Sequence, residues 1–201
     1  AIFDNNTSIK ALSMVKLRNE TILMGRSDGI YQLVGKEQQK VAVTGLKNIP
    51  VYSIFEDSTS ILAGGDGVIY RIENNRVIEI IPIATGEQKM IRNIKTDNRG
   101  NLWFNFWVGK DIYMKSGNTI VNVTEKAGII SGAITGILME GSGSICVSSI
   151  GKGIFLFTNN HLLVYPESET LVNANIHKII STHDGGLLMG TDDGLIHLDP
   201  S

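Results

Sequence analysis

The chain has 201 residues, 42 % of them hydrophobic, which is enough for a sizeable core and excludes a disordered segment. Its 18 basic and 20 acidic residues leave a net charge of -2 with no run of Lys or Arg, so a surface for nucleic acid or an anionic bilayer is not expected. No apolar stretch reaches the roughly 18 residues of a membrane helix, and the start AIFDNNTS lacks the charged and apolar regions of a leader, so no direct membrane contact is expected of this segment.

In chain order the pattern is one of short strands. Residues 21–33 read TILMG, RSD, GIYQL: an apolar run ending in a small residue, a polar loop, and a second apolar run. The arrangement returns at 60–72 (SILAG, GDG, VIYRI), 101–115 (NLWFN, FWVGK, DIYMK), 144–157 (SICVS, SIGK, GIFLF) and 186–198 (GLLMG, TDD, GLIHL). Residues 50–82 spell out a whole unit, PVYSIFED, STSILAGG, VIYRIE and RVIEIIP, which predicts four strands A to D. Asp, Asn, Ser and Gly fill the A-to-B turns (Asp57-Ser58-Thr59, Asp97-Asn98-Arg99-Gly100, Glu140-Gly141-Ser142-Gly143) and the C-to-D turns (Glu73-Asn74-Asn75, Thr158-Asn159-Asn160-His161). These residues tolerate the backbone that hairpins demand.

Units of about 40 residues that cannot bury their own faces must stack on their neighbours, which is how propeller blades behave. The expected fold is therefore all-β: a β-propeller of four-stranded antiparallel blades at about 4–47, 48–89, 90–131, 132–173 and 174–201. The last blade lacks its outer strand, and Ala1-Ile2-Phe3 lies where a strand D would end. That edge either completes the last blade or marks where a longer array is cut. Between blades a layer of large side chains is expected from the strand C column Tyr31, Tyr70, Tyr113, Phe155 and Ile196. Cys146, the only cysteine, shares a column with Leu23, Leu62, Trp103 and Leu188, so it should pack as a small hydrophobe; no disulfide within the chain is available.

Catalytic chemistry is poorly signalled, and no catalytic residue is assigned. His177 falls in a strand A column with Leu12, Val51, Ile91 and Ile134 and is expected to be packed; His161 and His183 fall on turns, and His197 on strand C. No metal spacing or nucleophile elbow is present. Acidic turns such as Thr191-Asp192-Asp193-Gly194 lack the ligand ladder of a calcium loop, and Gly64-Gly65-Asp66-Gly67 opens no helix that could cradle a phosphate. Neither a metal nor a cofactor is expected.

Binding is better signalled. In a propeller the B-to-C loops share a face with the D-to-A links, and the third of them is the longest and carries Phe106 and Trp107 with Asn105 and Lys110 beside them. An exposed ring next to polar groups suits stacking on a sugar or anchoring a protein. A second candidate set is the strand A column Ser13, Tyr52, Arg92, Thr135 and Lys178, polar or amphipathic throughout, from which Tyr52, Arg92 and Lys178 are taken as binding residues for an acidic or hydroxyl-rich ligand.

Asp97-Asn98-Arg99-Gly100-Asn101-Leu102-Trp103-Phe104, preceded by Ile91 and Ile94, resembles the two-component regulator propeller repeat. Weaker copies lie at 51–64, 134–148 and 177–190, and a degenerate one at 12–25; the Trp is kept only in the third unit, and the usual Gly-Thr only as Gly190-Thr191. The resemblance implies the periplasmic sensor of a hybrid two-component histidine kinase of the Bacteroides type, responding to carbohydrate fragments and signalling as a homodimer. It also implies a larger, about seven-bladed propeller of which this chain is a part. The same wording is similar to propeller lyases related to streptogramin lyase, so a lyase or hydrolase is one alternative, and a non-enzymatic protein-interaction scaffold is another.

Overall fold

The structure is a computed structural model that describes residues 10–83, 89–126, 132–139, 144–158, 161–164, 171 and 174–199. It contains five antiparallel sheets, each built from strands consecutive in the chain. The first is β1 (Ser13–Lys16), β2 (Ile22–Arg26), β3 (Gly29–Val34) and β4 (Glu37–Lys40). The second is β5 (Ser53–Glu56), β6 (Ile61–Gly64), β7 (Val68–Glu73) and β8 (Arg76–Pro82), and the third is β9 (Ile91–Thr96), β10 (Leu102–Phe106), β11 (Ile112–Ser116) and β12 (Thr119–Asn122). The fourth is β13 (Ile134–Met139), β14 (Ile145–Ser149), β15 (Gly153–Thr158) and β16 (His161–Val164); the fifth has three strands, β17 (Ile176–Ser181), β18 (Leu187–Thr191) and β19 (Gly194–Leu198).

These are the four-stranded units expected from the repeat, with the fifth short of its outer strand among the described residues. The Ala1-Ile2-Phe3 edge, the turn Glu140-Gly141-Ser142-Gly143 and Asn159-Asn160 lie outside the described residues. At the C-to-D turn of the second sheet, Asn74 and Asn75 both take positive φ (49° and 57°), the hairpin geometry that asparagine tolerates. One element was not foreseen: a single helical turn, α1 (Val123–Lys126). Asn122 Oδ1 caps it by accepting from the Glu125 N–H (3.1 Å), and Thr124 Oγ1 accepts from the Ile112 N–H (3.1 Å).

The chain divides into two compact units, residues 1–94 and 95–201, with the division inside β9. In each unit the core lies between sheets. Leu17, Leu23, Ile30, Val51, Ala63 and Tyr70 close the first sheet on the second. In the second unit Trp103, Ile112, Ile134, Ile145 and Phe155 join the third sheet to the fourth, and Cys146, Ile154, Ile176, Ile179 and Met189 join the fourth to the fifth. Cys146 is fully buried, as its column implied.

First strands of successive sheets lie side by side, β1 against β5 and β13 against β17. A polar side chain on one blade holds the backbone of the next at each described junction. Ser13 Oγ donates to the Val51 carbonyl (3.3 Å), Ser53 Oγ to that of Ile91 (3.0 Å), Asn105 Nδ2 to that of Ile134 (3.1 Å) and Thr135 Oγ1 to that of Ile176 (2.5 Å). The four accepting residues are at most 1 % exposed, so each donor satisfies a carbonyl that water cannot reach.

This close approach explains the small residue ending strand B in the first two sheets. A Cβ on Gly25 would stand 2.3 Å from the Val51 carbonyl oxygen, and one on Gly64 would stand 2.4 Å from Ser53 Oγ and 2.8 Å from Ile94 Cδ1. In the fourth sheet the roles are exchanged: Gly136 is on the first strand, Ser148 on the second, and Thr135 Oγ1 meets Ser148 Oγ at 2.9 Å.

The motif around Asp97 is itself a piece of blade construction. Asp97 Oδ1 accepts from the N–H groups of Arg99 (2.9 Å) and Asn101 (2.8 Å), closing the turn, while Oδ2 accepts from Asn101 Nδ2 (2.9 Å) and from Trp103 Nε1 (2.9 Å). The Trp103 ring, 3 % exposed, then packs on Phe157 of the next sheet with centroids 5.1 Å apart.

Candidate functional site

In the first unit the B-to-C loops and the D-to-A links do share a face. The Gly67 N–H donates to the Lys89 carbonyl (2.7 Å), the Ile83 N–H to that of Gly67 (2.8 Å), and the Val51 N–H to that of Arg26 (2.9 Å). Among the candidate binding residues, Tyr52 and Arg92 belong to the first unit, and Asn105, Phe106, Trp107, Lys110 and Lys178 to the second.

The loop between β10 and β11 brings Asn105, Phe106, Trp107 and Lys110 together by sequence, but only part of it faces solvent. Trp107 is 43 % exposed and Val108 67 %, and Lys110 is exposed as well. Phe106 is a correction: it is 3 % exposed, with its ring edge-on to Phe104 and Tyr113 at centroid distances of 5.8 and 5.5 Å. Phe104 and Tyr113 are cross-strand partners stacked at 5.5 Å, so Phe106 completes an aromatic core and is not a ring offered to a ligand. Asn105 is corrected likewise, since it is fully buried and its amide serves the Phe106 and Ile134 carbonyls.

The polar column on the first strands is also not one column. Ser13 faces Gly25, and Lys178 faces Gly190, but in the second sheet Ser53, not Tyr52, faces Gly64. In the fourth, Gly136 faces Ser148, because the register slips at Thr135. Thr135 is 3 % exposed and bonded to Ser148 and Ile176, so it lines no open space. Tyr52 is half-buried and hydrogen-bonded to Asp66; burial first, then the Asp66 charge, raises its pKa. Arg92 is half-buried, and burial lowers its pKa. Lys178 is exposed, and its charge adds to burial in lowering the pKa of Lys95, so the second unit carries a like-charged pair on β9 and β17.

A second bulge corrects the reading of His177. The register of β17 on β18 slips between Ile176 and Lys178, which turns His177 outward with its side chain 56 % exposed. There Nε2 meets Asp192 Oδ1, and Asn175 Nδ2 donates to Asp192 Oδ2 (2.7 Å). The bond to His177, then that from Asn175, holds the Asp192 carboxyl below its ordinary pKa. His197 Nδ1 lies 3.4 Å from Asp199 Oδ1. Among the described residues no three His, Cys, Asp or Glu side chains gather as metal ligands, and no helix is long and apolar enough to cross a membrane.

One cluster has no counterpart in the sequence reading, because its residues read as ordinary turn and edge positions. Arg26, 7 % exposed, lays its guanidinium 3.8 Å over the Tyr31 ring. Tyr31 Oη donates to Asp28 Oδ2 (2.7 Å), which also accepts from Lys40 Nζ (3.1 Å). The Tyr31 bond leads in holding the Asp28 pKa down against the cost of burial.

Blades whose first strands stack in succession define a β-propeller, and solved structures similar to the chain agree with that fold. Over 98 % of its length the chain matches the extracellular domain of BT4673 from B. thetaiotaomicron, there called a one component system (16 % identity, TM-score 0.70), and it spans 27 % of that chain. The extracellular domain of the hybrid two component system BT3049 of the same organism matches over 90 % of this chain and 26 % of its own (18 % identity, TM-score 0.68). A catalytically inactive virginiamycin B lyase from Staphylococcus aureus with quinupristin matches over 96 % and 67 % (16 % identity, TM-score 0.72). At these identities the likeness is one of fold. No family model matches the chain, and no curated protein does.

Proposed function

We propose that the chain is a ligand-sensing propeller segment of a periplasmic receptor of the hybrid two-component type, without enzymatic activity of its own. It binds a carbohydrate fragment, and binding biases the arrangement of a dimer and so of a distant kinase. The likeness to the extracellular domains of BT4673 and BT3049 supports the receptor class. The observation that carries the ligand reading is Trp107, a half-exposed indole beside Val108 on a loop whose base is fixed by the buried Phe106. An exposed ring of this kind suits stacking on the apolar face of a sugar. Lys110 and Lys178 of the same unit supply charge and hydrogen bonds to hydroxyls or acidic groups, and Tyr52 and Arg92 are proposed separately as binding residues of the first unit.

A thermal-shift screen with oligosaccharides of defined composition tests this. A cognate oligosaccharide raises the melting temperature of the parent, and Trp107→Ala and Lys110→Ala abolish that rise while circular dichroism stays that of the parent. An undiminished rise in both variants removes these residues from the site. The lyase reading is favoured by one observation, the exposed His177–Asp192 pair. Incubation with quinupristin, followed by chromatography, decides it: consumption lost in His177→Ala establishes the enzyme, and no consumption by the parent excludes that substrate.

A further inference from the structure

In the first unit a cavity of about 400 Å³ opens between the β2–β3 turn and the link that follows β4, with Val43 and Leu46 on its apolar side and Asp28, Lys40, Lys47 and Asn48 on its polar side. The link does not collapse onto the turn because Thr44 is tied elsewhere. Its N–H donates to the Asn75 carbonyl (2.9 Å), and its carbonyl accepts from the Val77 N–H (2.8 Å), both at the outer hairpin of the second sheet. In that second sheet the corresponding loops are instead zipped together through Gly67, Lys89 and Ile83. The cavity thus depends on how the first blade's link is tied to the second sheet.

Behind the lining residue Asp28 a pair of polar atoms is incompletely satisfied. Arg26 Nε and Asp28 Oδ1 are both buried, lie 3.9 Å apart and have no hydrogen-bond partner, although Arg26 is bonded through Nη1 to Gln38 Oε1 (3.2 Å). A donor and an acceptor left over side by side are both met by one hydroxyl, which accepts from the first and donates to the second. Lys40 closes over this pair: its Nζ joins Asp28 Oδ2 and Asn48 Oδ1 (2.9 Å), and its side chain is 48 % exposed and able to swing. Lys40 and Lys47 on the lining, with Arg26 behind Asp28, set three cations against one carboxylate, so the surroundings favour a negative ligand.

We propose that this cavity binds a small hydroxylated anion of monosaccharide size, a carboxylated or phosphorylated sugar. Its anionic group engages Lys40 and Lys47, a hydroxyl takes up Asp28 and Arg26 as Lys40 moves, and the apolar ring face rests on Val43 and Leu46. The volume lies in the range of small-ligand sites. This site shares no residue with the one centred on Trp107 and stands without it.

Backbone amide shifts of the nitrogen-15-labelled chain, titrated with glucuronate, glucose 6-phosphate, glucose, acetate and inorganic phosphate, test the proposal. At least one sugar anion shifts the amides of Gly29, Lys40 and Asn48, and glucose, acetate and phosphate bind about tenfold or more weaker. The tighter of the two sugar anions identifies the anionic group. Lys40→Gln with Lys47→Gln, both exposed positions, weakens the sugar anion about tenfold and leaves the fold unchanged by circular dichroism. The proposal is overturned if neither sugar anion moves these amides at about 50 mM, if acetate or phosphate binds as tightly, or if the double variant binds like the parent. Shifts confined to residues 105–110 also overturn it and leave the Trp107 reading intact.

Discussion

Arg71 Nη1 meets Asp57 Oδ2 at 2.8 Å and takes, in the second blade, the place that Trp103 Nε1 holds on Asp97 in the third. Two unlike donors serve one turn aspartate, and the difference predicts unequal costs. Asp97→Ala leaves the buried Trp103 N–H without its acceptor, which costs about 1–3 kcal/mol. Asp57→Ala leaves Arg71 with Glu79 (3.0 Å) and Ser60 (2.9 Å), so its cost is smaller. Urea unfolding of the two variants gives the comparison, and the reverse order refutes the assigned roles.

Acid should find the same two residues. Burial opposes their charged forms, but hydrogen bonds from Trp103, Asn101 and Arg99 to Asp97, and from Arg71 and Ser58 to Asp57, outweigh it and hold both pKa values below the ordinary carboxylate. Their contribution to stability is complete above about pH 4 and is lost as pH falls through the lower folded-state values. The urea midpoint of the parent therefore drops in that window, and Asp57→Asn with Asp97→Asn starts lower and falls less. Parallel curves for parent and variant contradict the assignment.

Glycines at the ends of the second strands separate into two kinds. Gly25→Ala and Gly64→Ala push a methyl into a neighbouring blade and cost about 1–3 kcal/mol. For Gly190 nothing among the described residues lies within 4 Å of the added Cβ, so Gly190→Ala stays within about 0.5 kcal/mol of the parent. Equal losses at all three positions rule out the junction as the cause.

Thr135→Val keeps shape and removes the donor to the Ile176 carbonyl together with the acceptor for the Ser148 hydroxyl. Thermal unfolding should register a loss of about 1–3 kcal/mol, the cost of an unpaired buried acceptor. Thr135→Ser, which retains the hydroxyl, recovers most of it; a serine variant as unstable as the valine one points to the methyl instead.

The strands and their order were legible because alternation and turn chemistry are local, and so was the burial of Cys146. The bulges were not. An inserted residue at Thr135 or His177 leaves no compositional mark, yet it moves every later side chain of that strand by one position, and the two inserted residues themselves differ, Thr135 buried and His177 exposed. Phe106 misled for a related reason. It follows the small residue of its strand, as Arg26 and Ser149 do, and all three are buried, but two of those residue types suggest the surface. The cavity beside Asp28 depends on Thr44 bonding to a different blade, a long-range pairing that no local pattern carries.

Cys146 offers a practical return. The only thiol of the chain sits, fully buried, in the seam between the fourth and fifth sheets beside Ile176 and Ile179. A thiol reagent can reach it only when that seam parts, so the labelling rate, compared with that of the unfolded chain, measures the free energy of local opening. Thr135→Val should quicken labelling and Asp57→Ala should not. The molecule thus carries a built-in clock for the separation of two of its sheets, with no probe to engineer.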